Sequence, residues 1–193
     1  FKFKTVIISE GITHIDNNAF EWNSLLENVF LPDSLEYIGE NAFKSCFRLK
    51  YFYISQSVNF IDPSAFSGDT FIEYFDVSDE NEHYKSVDGN IFSKDGKNLL
   101  HYSISNVAKI YNVPYGTQVI STRAFYRSPY LEQVILPDTI KIIDKSSFSQ
   151  CSNLKKINLP ESIIKIDEGA FSGCTGLENI TIPDSVTRIG YRT

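Results

Sequence analysis

The sequence predicts a mainly β solenoid, and three observations support that prediction. A phenylalanine recurs every 23 residues, an alternating apolar segment precedes it in each repeat, and a proline follows most of those segments. Self-similarity at a short fixed period is typical of solenoids, in which no single repeat can bury its own apolar face. We therefore expect the 193 residues to form stacked copies around a shared core.

The recurring phenylalanines form two runs of three, separated by one longer gap of 59 residues. An isoleucine lies five residues before each of these phenylalanines, and a small residue, alanine or serine, immediately precedes each phenylalanine. The six phenylalanines are Phe20, Phe43, Phe66, Phe125, Phe148 and Phe171. Because the longer gap exceeds one repeat length by 36 residues, we expect a single insertion within one array.

A short alternation of apolar residues precedes each phenylalanine. Val29 and Leu31 alternate with Asn28 and Phe30, for example, and Pro32 follows directly. Alternation with a period of two predicts a strand with one buried face, and a proline, which lacks an N–H, ends the ladder. An apolar residue also lies three positions before the first strand residue of each pair, which gives the pattern LxxLxL.

The complete unit, LxxLxLPxSxxxIxxxAFxxCxxL, is clearest at residues 26–49 and 154–177. It resembles the BspA-like class of leucine-rich repeats, and the match covers nearly the whole chain. The resemblance implies a leucine-rich-repeat solenoid, mainly β, with a parallel concave sheet of short strands. It also implies that the IxxxAF segments form short helical or 3-10 turns behind that sheet.

We expect one repeat domain over residues 1–193, cut from a longer chain. The insertion, residues 74–109, contains Asp88-Gly89 and Asp95-Gly96, pairs that favour the primed turns of hairpins. A three-stranded β-meander is therefore expected there, and insertions with a similar core occur in the class that the repeats resemble. The regular 23-residue repeats are 5–27, 28–50, 51–73, 110–132, 133–155 and 156–178, followed by a partial repeat, 179–193.

Composition and motifs argue against several functions. The formal net charge of −6, with lysine and arginine scattered, lacks the basic surface of a nucleic-acid-binding protein. No apolar run approaches the roughly 18 residues of a membrane span, so this segment is not expected to insert into a bilayer. The nucleophile elbow, phosphate loop and zinc motifs of common enzymes are missing. We therefore expect no catalytic residue and no enzymatic activity.

The three cysteines share one position in the repeat, three residues after the recurring phenylalanine. Cys46, Cys151 and Cys174 are predicted to be free structural thiols, because an unpaired cysteine packs as a small hydrophobic residue. Parallel strands lie about 4.8 Å apart, which is within the distance between Cα atoms that a disulfide can span. A disulfide between Cys151 and Cys174 is therefore the alternative. The three histidines show no metal-ligand spacing, and neither a metal nor another cofactor is expected.

The candidate binding residues are the outward-facing positions of the strands. Phe30, Tyr51, Tyr53 and Tyr74 fall on three adjacent strands and predict an aromatic patch on the concave face. Contiguous exposed aromatic residues are typical of recognition surfaces. The equally weighted alternative is that strand propensity alone selects tyrosine and phenylalanine at these positions.

These observations favour a non-enzymatic recognition and adhesion module. The resemblance to BspA-like proteins implies a cell-surface or secreted protein, with signal and anchor outside this segment. The expected ligand is a protein of the host extracellular matrix or of another cell surface, and a glycan ligand stays open. One alternative is a structural spacer or stalk that presents another domain. Another is a carbohydrate-processing enzyme, which would need a convergent pair of carboxylates.

Overall fold

The computed structural model describes residues 3–67 and 71–193 of the chain. The chain divides into two compact units, residues 1–95 and 96–193, which we call the amino-terminal and carboxy-terminal units. The described residues form short strands and turns, and they contain no helix. The predicted leucine-rich-repeat solenoid is confirmed, but the expected helical or 3-10 pieces are turns.

In the amino-terminal unit the LxxLxL segments form parallel strands, as predicted. They are β1 (Thr5–Ile7), β3 (Asn28–Phe30), β5 (Tyr51–Ile54) and β7 (Tyr74–Val77). β1 pairs with β3 and β5 pairs with β7, each in a register of 23 residues. Along β5, buried Phe52 and Ile54 alternate with exposed Tyr51 and Tyr53, so one face of these strands lies on the core.

A second parallel sheet in this unit was not predicted. Its strands are β2 (His14–Ile15), β4 (Tyr37–Ile38) and β6 (Phe60–Ile61). The isoleucines are buried, whereas His14 and Phe60 are exposed and Tyr37 is half-buried. Two residues are too few to show the alternation from which a strand is predicted, which is why this sheet appears in the sequence only as an invariant isoleucine.

The hairpin expected in the insertion is present. β8 (Tyr84–Val87) and β9 (Asn90–Ser93) pair antiparallel around Asp88 and Gly89. Both turn residues have a positive φ, 50° and 75°, as a primed two-residue turn requires. The predicted asparagine- or aspartate-glycine turn is therefore confirmed at Asp88-Gly89.

Stacked phenylalanines form the centre of the core in the amino-terminal unit. The ring centroids lie 5.3 Å apart for Phe20 and Phe43 and 5.7 Å apart for Phe43 and Phe66, with nearly parallel planes. Phe43 and Phe66 each also contact Phe52 edge-on at 4.8 Å. Stacked and edge-to-face pairs are favourable beyond the area they bury, so this ladder fixes the turns to the back of β5.

The carboxy-terminal unit repeats this arrangement of LxxLxL strands and isoleucine strands. The LxxLxL strands are β11 (Ile110–Asn112), β13 (Gln133–Ile135) and β15 (Lys156–Ile157), parallel in that order. The isoleucine strands are β12 (Val119–Ile120), β14 (Ile142–Ile143), β16 (Lys165–Ile166) and β17 (Arg188–Ile189). The stacked ring centroids lie 4.8 Å apart for Phe125 and Phe148 and 5.3 Å apart for Phe148 and Phe171.

The end of the predicted insertion is part of the regular array. The third strand expected in the meander is present as β10 (Asn98–His101), and it also pairs parallel with β12. Tyr102 follows it, 23 residues before Phe125, and the backbone N–H of Tyr102 donates to the carbonyl of Ala124 at 2.8 Å. The rings of Tyr102 and Phe125 are 4.8 Å apart. Tyr102 therefore occupies a phenylalanine position of the ladder.

The corners between the strands contain residues whose backbone lies in the left-handed region, and most of these residues are not glycine. Residues such as Asn18 and Trp22 have φ of 61°, which costs a side chain about 1–2 kcal/mol. Their backbone N–H groups donate to Glu40 at 2.8 Å and Lys44 at 2.9 Å in the next turn, which offsets that cost. The non-glycine corner residues are Asn18, Trp22, Asn41, Ser45, Arg123, Arg127, Ser146, Gln150 and Arg192.

Candidate functional site

The four predicted site residues form an exposed cluster on the LxxLxL strands of the amino-terminal unit. The exposed fraction of the side chain is 57% for Phe30, 51% for Tyr51, 39% for Tyr53 and 46% for Tyr74. Phenylalanine and tyrosine bury large areas when they serve the core. These four do not serve it, because the inward positions of the same strands are occupied by other residues. We call the four residues the aromatic patch.

The aromatic patch is organised as two columns that cross the strands. Tyr51 lies opposite Tyr74, and their rings are parallel, with centroids 6.2 Å apart and 5° between the planes. Phe30 and Tyr53 share the other column, since they hold the same position two residues further along their repeats. Ile7 lies opposite Phe30 and is 75% exposed. The second column therefore continues to an aliphatic residue that was not among the predicted site residues.

A carboxylate anchors the first column. The hydroxyl of Tyr51 donates to Oδ2 of Asp76 at 2.9 Å, and the backbone N–H of Val77 donates to Oδ1 at 3.0 Å. Burial of the hydroxyl and its bond to the Asp76 carboxylate raise the pKa of Tyr51 to about 12. Tyr51 is thus a neutral donor held in one orientation at physiological pH. Asp76 lies opposite Tyr53 and belongs to the site, although sequence reasoning did not select it.

The β8–β9 turn supports the other end of the first column. A Cβ added to Gly89 would lie 2.7 Å from Cδ2 of the Tyr74 ring, closer than two side chains can approach. The carbonyl of Gly89 accepts the backbone N–H of Phe75 at 2.9 Å. The turn glycine therefore serves two purposes, a positive φ and a flat surface on which the Tyr74 ring rests.

A separate column of rings, outside the aromatic patch, lies on the isoleucine strands of the same unit. His14 stacks on Tyr37 at 5.4 Å, and Tyr37 stacks on Phe60 at 5.0 Å with 8° between their planes. None of these three residues was among the predicted site residues. The signal that could have found this column is the 23-residue spacing of these three rings.

The equivalent face of the carboxy-terminal unit has a different chemistry. The first-column positions carry Ile110, Gln133 and Lys156, and the second-column positions carry Asn112, Ile135 and Asn158. Asn158 is directed at its own sheet. Its Nδ2 donates to the carbonyl of Leu136, and its Oδ1 accepts from the backbone N–H of Leu136, both at 2.9 Å.

Ion pairs flank this second face. Glu132 accepts from Lys109 at 2.8 Å and from Lys155 at 2.7 Å. The hydrogen bond from Lys109, followed by that from Lys155, lowers the pKa of Glu132 to about 2. Glu132, Lys109 and Lys155 thus bond to one another, and no outward position of β11, β13 or β15 carries an aromatic ring.

The cysteines are free in the structure, as predicted. Each thiol is directed at the carbonyl of the recurring phenylalanine in the preceding repeat: Cys46 at Phe20 (3.3 Å), Cys151 at Phe125 (2.9 Å) and Cys174 at Phe148 (3.0 Å). Burial raises the pKa of Cys46 and Cys151 to about 12 and that of Cys174 to about 11. Such thiols are weak nucleophiles, and their shared register reflects the carbonyl that each one contacts.

The remaining candidates for chemistry lie apart. Within residues 3–67 and 71–193, no three His, Cys, Asp or Glu side chains gather closely enough to hold a metal ion. His101 is buried behind the ladder next to Tyr102, and His83 is exposed beside β8. No helix able to cross a membrane occurs in the part of the chain that the structure describes.

Comparison with known proteins identifies the repeat. The model of the BspA type leucine rich repeat region matches residues 1–113 and 95–193, with six copies of the repeat. No curated protein matches the sequence significantly.

Two solved structures cover nearly the whole chain. The pneumococcal vaccine antigen PcpA is 29% identical over 98% of this chain and 53% of its own, with a TM-score of 0.83. A leucine rich cell surface protein of Faecalibacterium prausnitzii A2-165 is 30% identical over 96% of this chain and 49% of its own, also with a TM-score of 0.83.

A third solved structure is of a protein that matches only part of this chain. A leucine-rich repeat protein of Bacteroides capillosus is 30% identical over 56% of this chain and 88% of its own, with a TM-score of 0.52. This chain spans about half the length of PcpA and of the Faecalibacterium protein. The repeat unit, the stacked phenylalanines and the family match agree, and the chain belongs to the BspA-type leucine-rich repeat proteins.

Proposed function

We propose that this chain is a non-enzymatic recognition module that binds a protein ligand through the aromatic patch of its amino-terminal unit. The observation that carries the proposal is the exposure of Phe30, Tyr51, Tyr53 and Tyr74 on neighbouring strands whose inward faces are packed. Rigid aromatic side chains dominate binding energy at protein interfaces, because they bury a large area with little loss of conformational freedom.

Strand propensity alone is a weaker explanation of the patch. It would favour tyrosine and phenylalanine equally on the corresponding strands of the carboxy-terminal unit, whose outward positions carry Ile110, Gln133, Ile135 and Lys156 instead. It also does not account for the carboxylate that orients Tyr51 or the glycine that supports Tyr74. These features favour a preorganised surface, which binds at a lower entropic cost.

A location outside the cell is the second part of the proposal. The Faecalibacterium relative is described as a cell surface protein and PcpA as a vaccine antigen, and both share the fold over nearly the whole of this chain. A protein displayed on a surface meets host matrix proteins and the surfaces of other cells. We therefore place the ligand among those proteins, with glycans as the competing class in the test.

The test is a binding screen followed by patch variants. Immobilised extracellular matrix proteins and glycans are screened by biolayer interferometry, and each ligand found is remeasured with the double variant Tyr51→Ser and Tyr53→Ser. Loss of two well-packed aromatic contacts is expected to cost about 2 kcal/mol or more, roughly a thirtyfold loss of affinity. The melting temperature should hardly change, because both side chains point away from the core.

The matched control changes two exposed tyrosines of the other unit. Tyr115 and Tyr130 are 81% and 44% exposed, and the double variant Tyr115→Ser and Tyr130→Ser should bind as the wild type does. Unchanged binding by the Tyr51 and Tyr53 variant would refute the patch as the binding surface. A screen in which no ligand binds, in a chain that is folded by circular dichroism, would favour the spacer instead.

A further inference from the structure

Charge is distributed very unevenly between the two units. Residues 1–95 contain 7 Lys and Arg against 16 Asp and Glu, whereas residues 96–193 contain 11 against 8. The amino-terminal unit therefore carries a net charge of −9 and the carboxy-terminal unit +3, although the chain as a whole shows only −6. An asymmetry of this size produces a local field that the total charge conceals. The aromatic patch lies in the acidic unit.

Two carboxylates border the aromatic patch, and neither has a cationic partner among the residues that the structure describes. Asp76 lies opposite Tyr53, and its side chain is engaged only with the Tyr51 hydroxyl and the Val77 N–H. Asp88 is exposed in the turn that supports Tyr74 and makes no ion pair with a described residue. Both carboxylates thus lie at the patch without a described cation bonded to them.

Two ion pairs lie beside these strands. Lys50 pairs with Glu73 at 2.7 Å, and Arg48 pairs with Glu27 at 3.2 Å. Neither pair leaves a net charge. The charges of Asp76 and Asp88 therefore stay beside β5 and β7, with Lys4 before β1 and Lys85 on β8 as further cations of this region, and the excess of negative charge is a property of the whole unit.

We infer that the aromatic patch selects a basic polypeptide segment, in which lysine or arginine side chains lie over the tyrosine rings and pair with Asp76 and Asp88. The inference rests on the proposed function and narrows its ligand. A cation over the face of a tyrosine is attracted by the ring quadrupole, and a nearby carboxylate adds to that attraction. An arginine is favoured over a lysine, since its planar guanidinium can stack on a ring and at the same time donate hydrogen bonds to a carboxylate.

The test uses peptides of defined charge as probes. A short fluorescein-labelled peptide of alternating arginine and serine is titrated with the intact chain by fluorescence anisotropy, and a glutamate–serine peptide serves as the negative probe. We expect only the basic peptide to bind. Its binding should weaken as the salt is raised from about 50 to about 300 mM, because exposed charges are increasingly screened.

Three variants locate the binding. Asp76→Asn removes one charge but keeps an acceptor for the Tyr51 hydroxyl, and it should weaken the basic peptide about two- to fivefold, the range of an exposed ion pair. Tyr51→Ser with Tyr53→Ser should weaken it at least as much. Glu36→Gln is the matched control, since Glu36 is an exposed carboxylate just before β4 of the isoleucine strands, and its affinity should equal that of the wild type.

The outcomes separate this inference from the proposed function. If the tyrosine variant loses a matrix ligand while Asp76→Asn and salt have no effect on any ligand, the patch binds proteins but does not select basic ones. If Glu36→Gln weakens the basic peptide as much as Asp76→Asn does, the attraction is diffuse and the inference is overturned. If the tyrosine variant keeps all binding, both the inference and the proposed function fail.

Discussion

The buried hydroxyl of Tyr102 is a defect in an otherwise apolar ladder. Tyr102 is 3% exposed, and its Oη has no hydrogen-bond partner among the residues that the structure describes. Burial raises the pKa of Tyr102 to about 12, since a tyrosinate would be still less tolerable there. Every other position of the ladder carries phenylalanine. We therefore predict that Tyr102→Phe stabilises the protein.

The size of the gain follows from what the substitution removes and what it keeps. A buried donor without a partner costs about 1–3 kcal/mol. The ring stays in contact with Phe125 at 4.8 Å and Tyr111 at 4.9 Å. The oxygen leaves a small void whose lost dispersion contacts are worth about 0.1–0.2 kcal/mol each. The expected net gain is about 1 kcal/mol, or about 2–4 °C in melting temperature for a chain of this size.

Thermal and urea unfolding followed by circular dichroism measure this gain. The matched control is Tyr115→Phe, which removes the same atom from a side chain that is 81% exposed, and it should change the free energy of unfolding by less than about 0.5 kcal/mol. An unchanged urea m-value would show that both variants unfold through the same loss of surface.

A loss of stability in Tyr102→Phe would refute the reasoning. A decrease of about 1 kcal/mol or more is the signature of a broken hydrogen bond. It would mean that the hydroxyl is satisfied in solution by an ordered water or a shifted carbonyl. The tyrosine would then be a selected feature of the ladder rather than a tolerated substitute for phenylalanine.

Two further predictions follow from the surroundings of the cysteines and of Glu132. In the native state at pH 8, all three thiols should react with iodoacetamide far more slowly than in urea, because burial raises the pKa of Cys46, Cys151 and Cys174. Cys174 should react first, since it alone is partly exposed; equal native and unfolded rates by mass spectrometry would contradict this burial. The carboxyl of Glu132 should titrate by carbon-13 NMR near pH 2, because Lys109 and Lys155 lower its pKa. Its stabilising effect should be complete above about pH 4.5 and disappear as the pH falls toward 2, and Lys155→Ser should raise the pKa; a titration near the ordinary value in the wild type would show that the lysines are not held there.

The repeat arithmetic predicts the parts of the fold that depend on sequence-spaced packing. The LxxLxL strands and the phenylalanine ladder were predicted because each repeat must bury the same face against the next. The same arithmetic also places Tyr102, 23 residues before Phe125, although a search for phenylalanine alone passes over it. Its strand β10 could not be placed in this way, because Leu99 pairs with Ile120 at a spacing of 21 residues.

Other features were missed because their signal is not periodic hydrophobicity. The isoleucine strands are two residues long, and hydrogen bonds between repeats define them rather than alternation within one repeat. Corner residues such as Trp22 and Arg127 have the φ values usual for glycine. Their compensation is a backbone hydrogen bond to the next turn, from Arg127 to Ser149 at 3.0 Å, for example. A single sequence does not contain that information.

The candidate site was predicted to the extent that it consists of outward strand positions. Phe30, Tyr51, Tyr53 and Tyr74 are exposed side by side, as the alternation requires. Asp76 was missed because a carboxylate at an outward position is explained equally well by solvation. Only the 2.9 Å bond from Tyr51 shows that it orients a ring.

The contrast between the two units indicates where selection for binding can act in such an array. The inward positions of β5 and β13 are both apolar and buried, so the core constrains them in the same way. Their outward positions differ completely: Tyr51 and Tyr53 on β5 correspond to Gln133 and Ile135 on β13. Since both sets face away from the core, packing of the core does not choose between them. The concentration of rings, supporting glycine and unpaired carboxylates in one unit is therefore the part of the sequence that the repeat does not explain, and it is where a ligand should be sought.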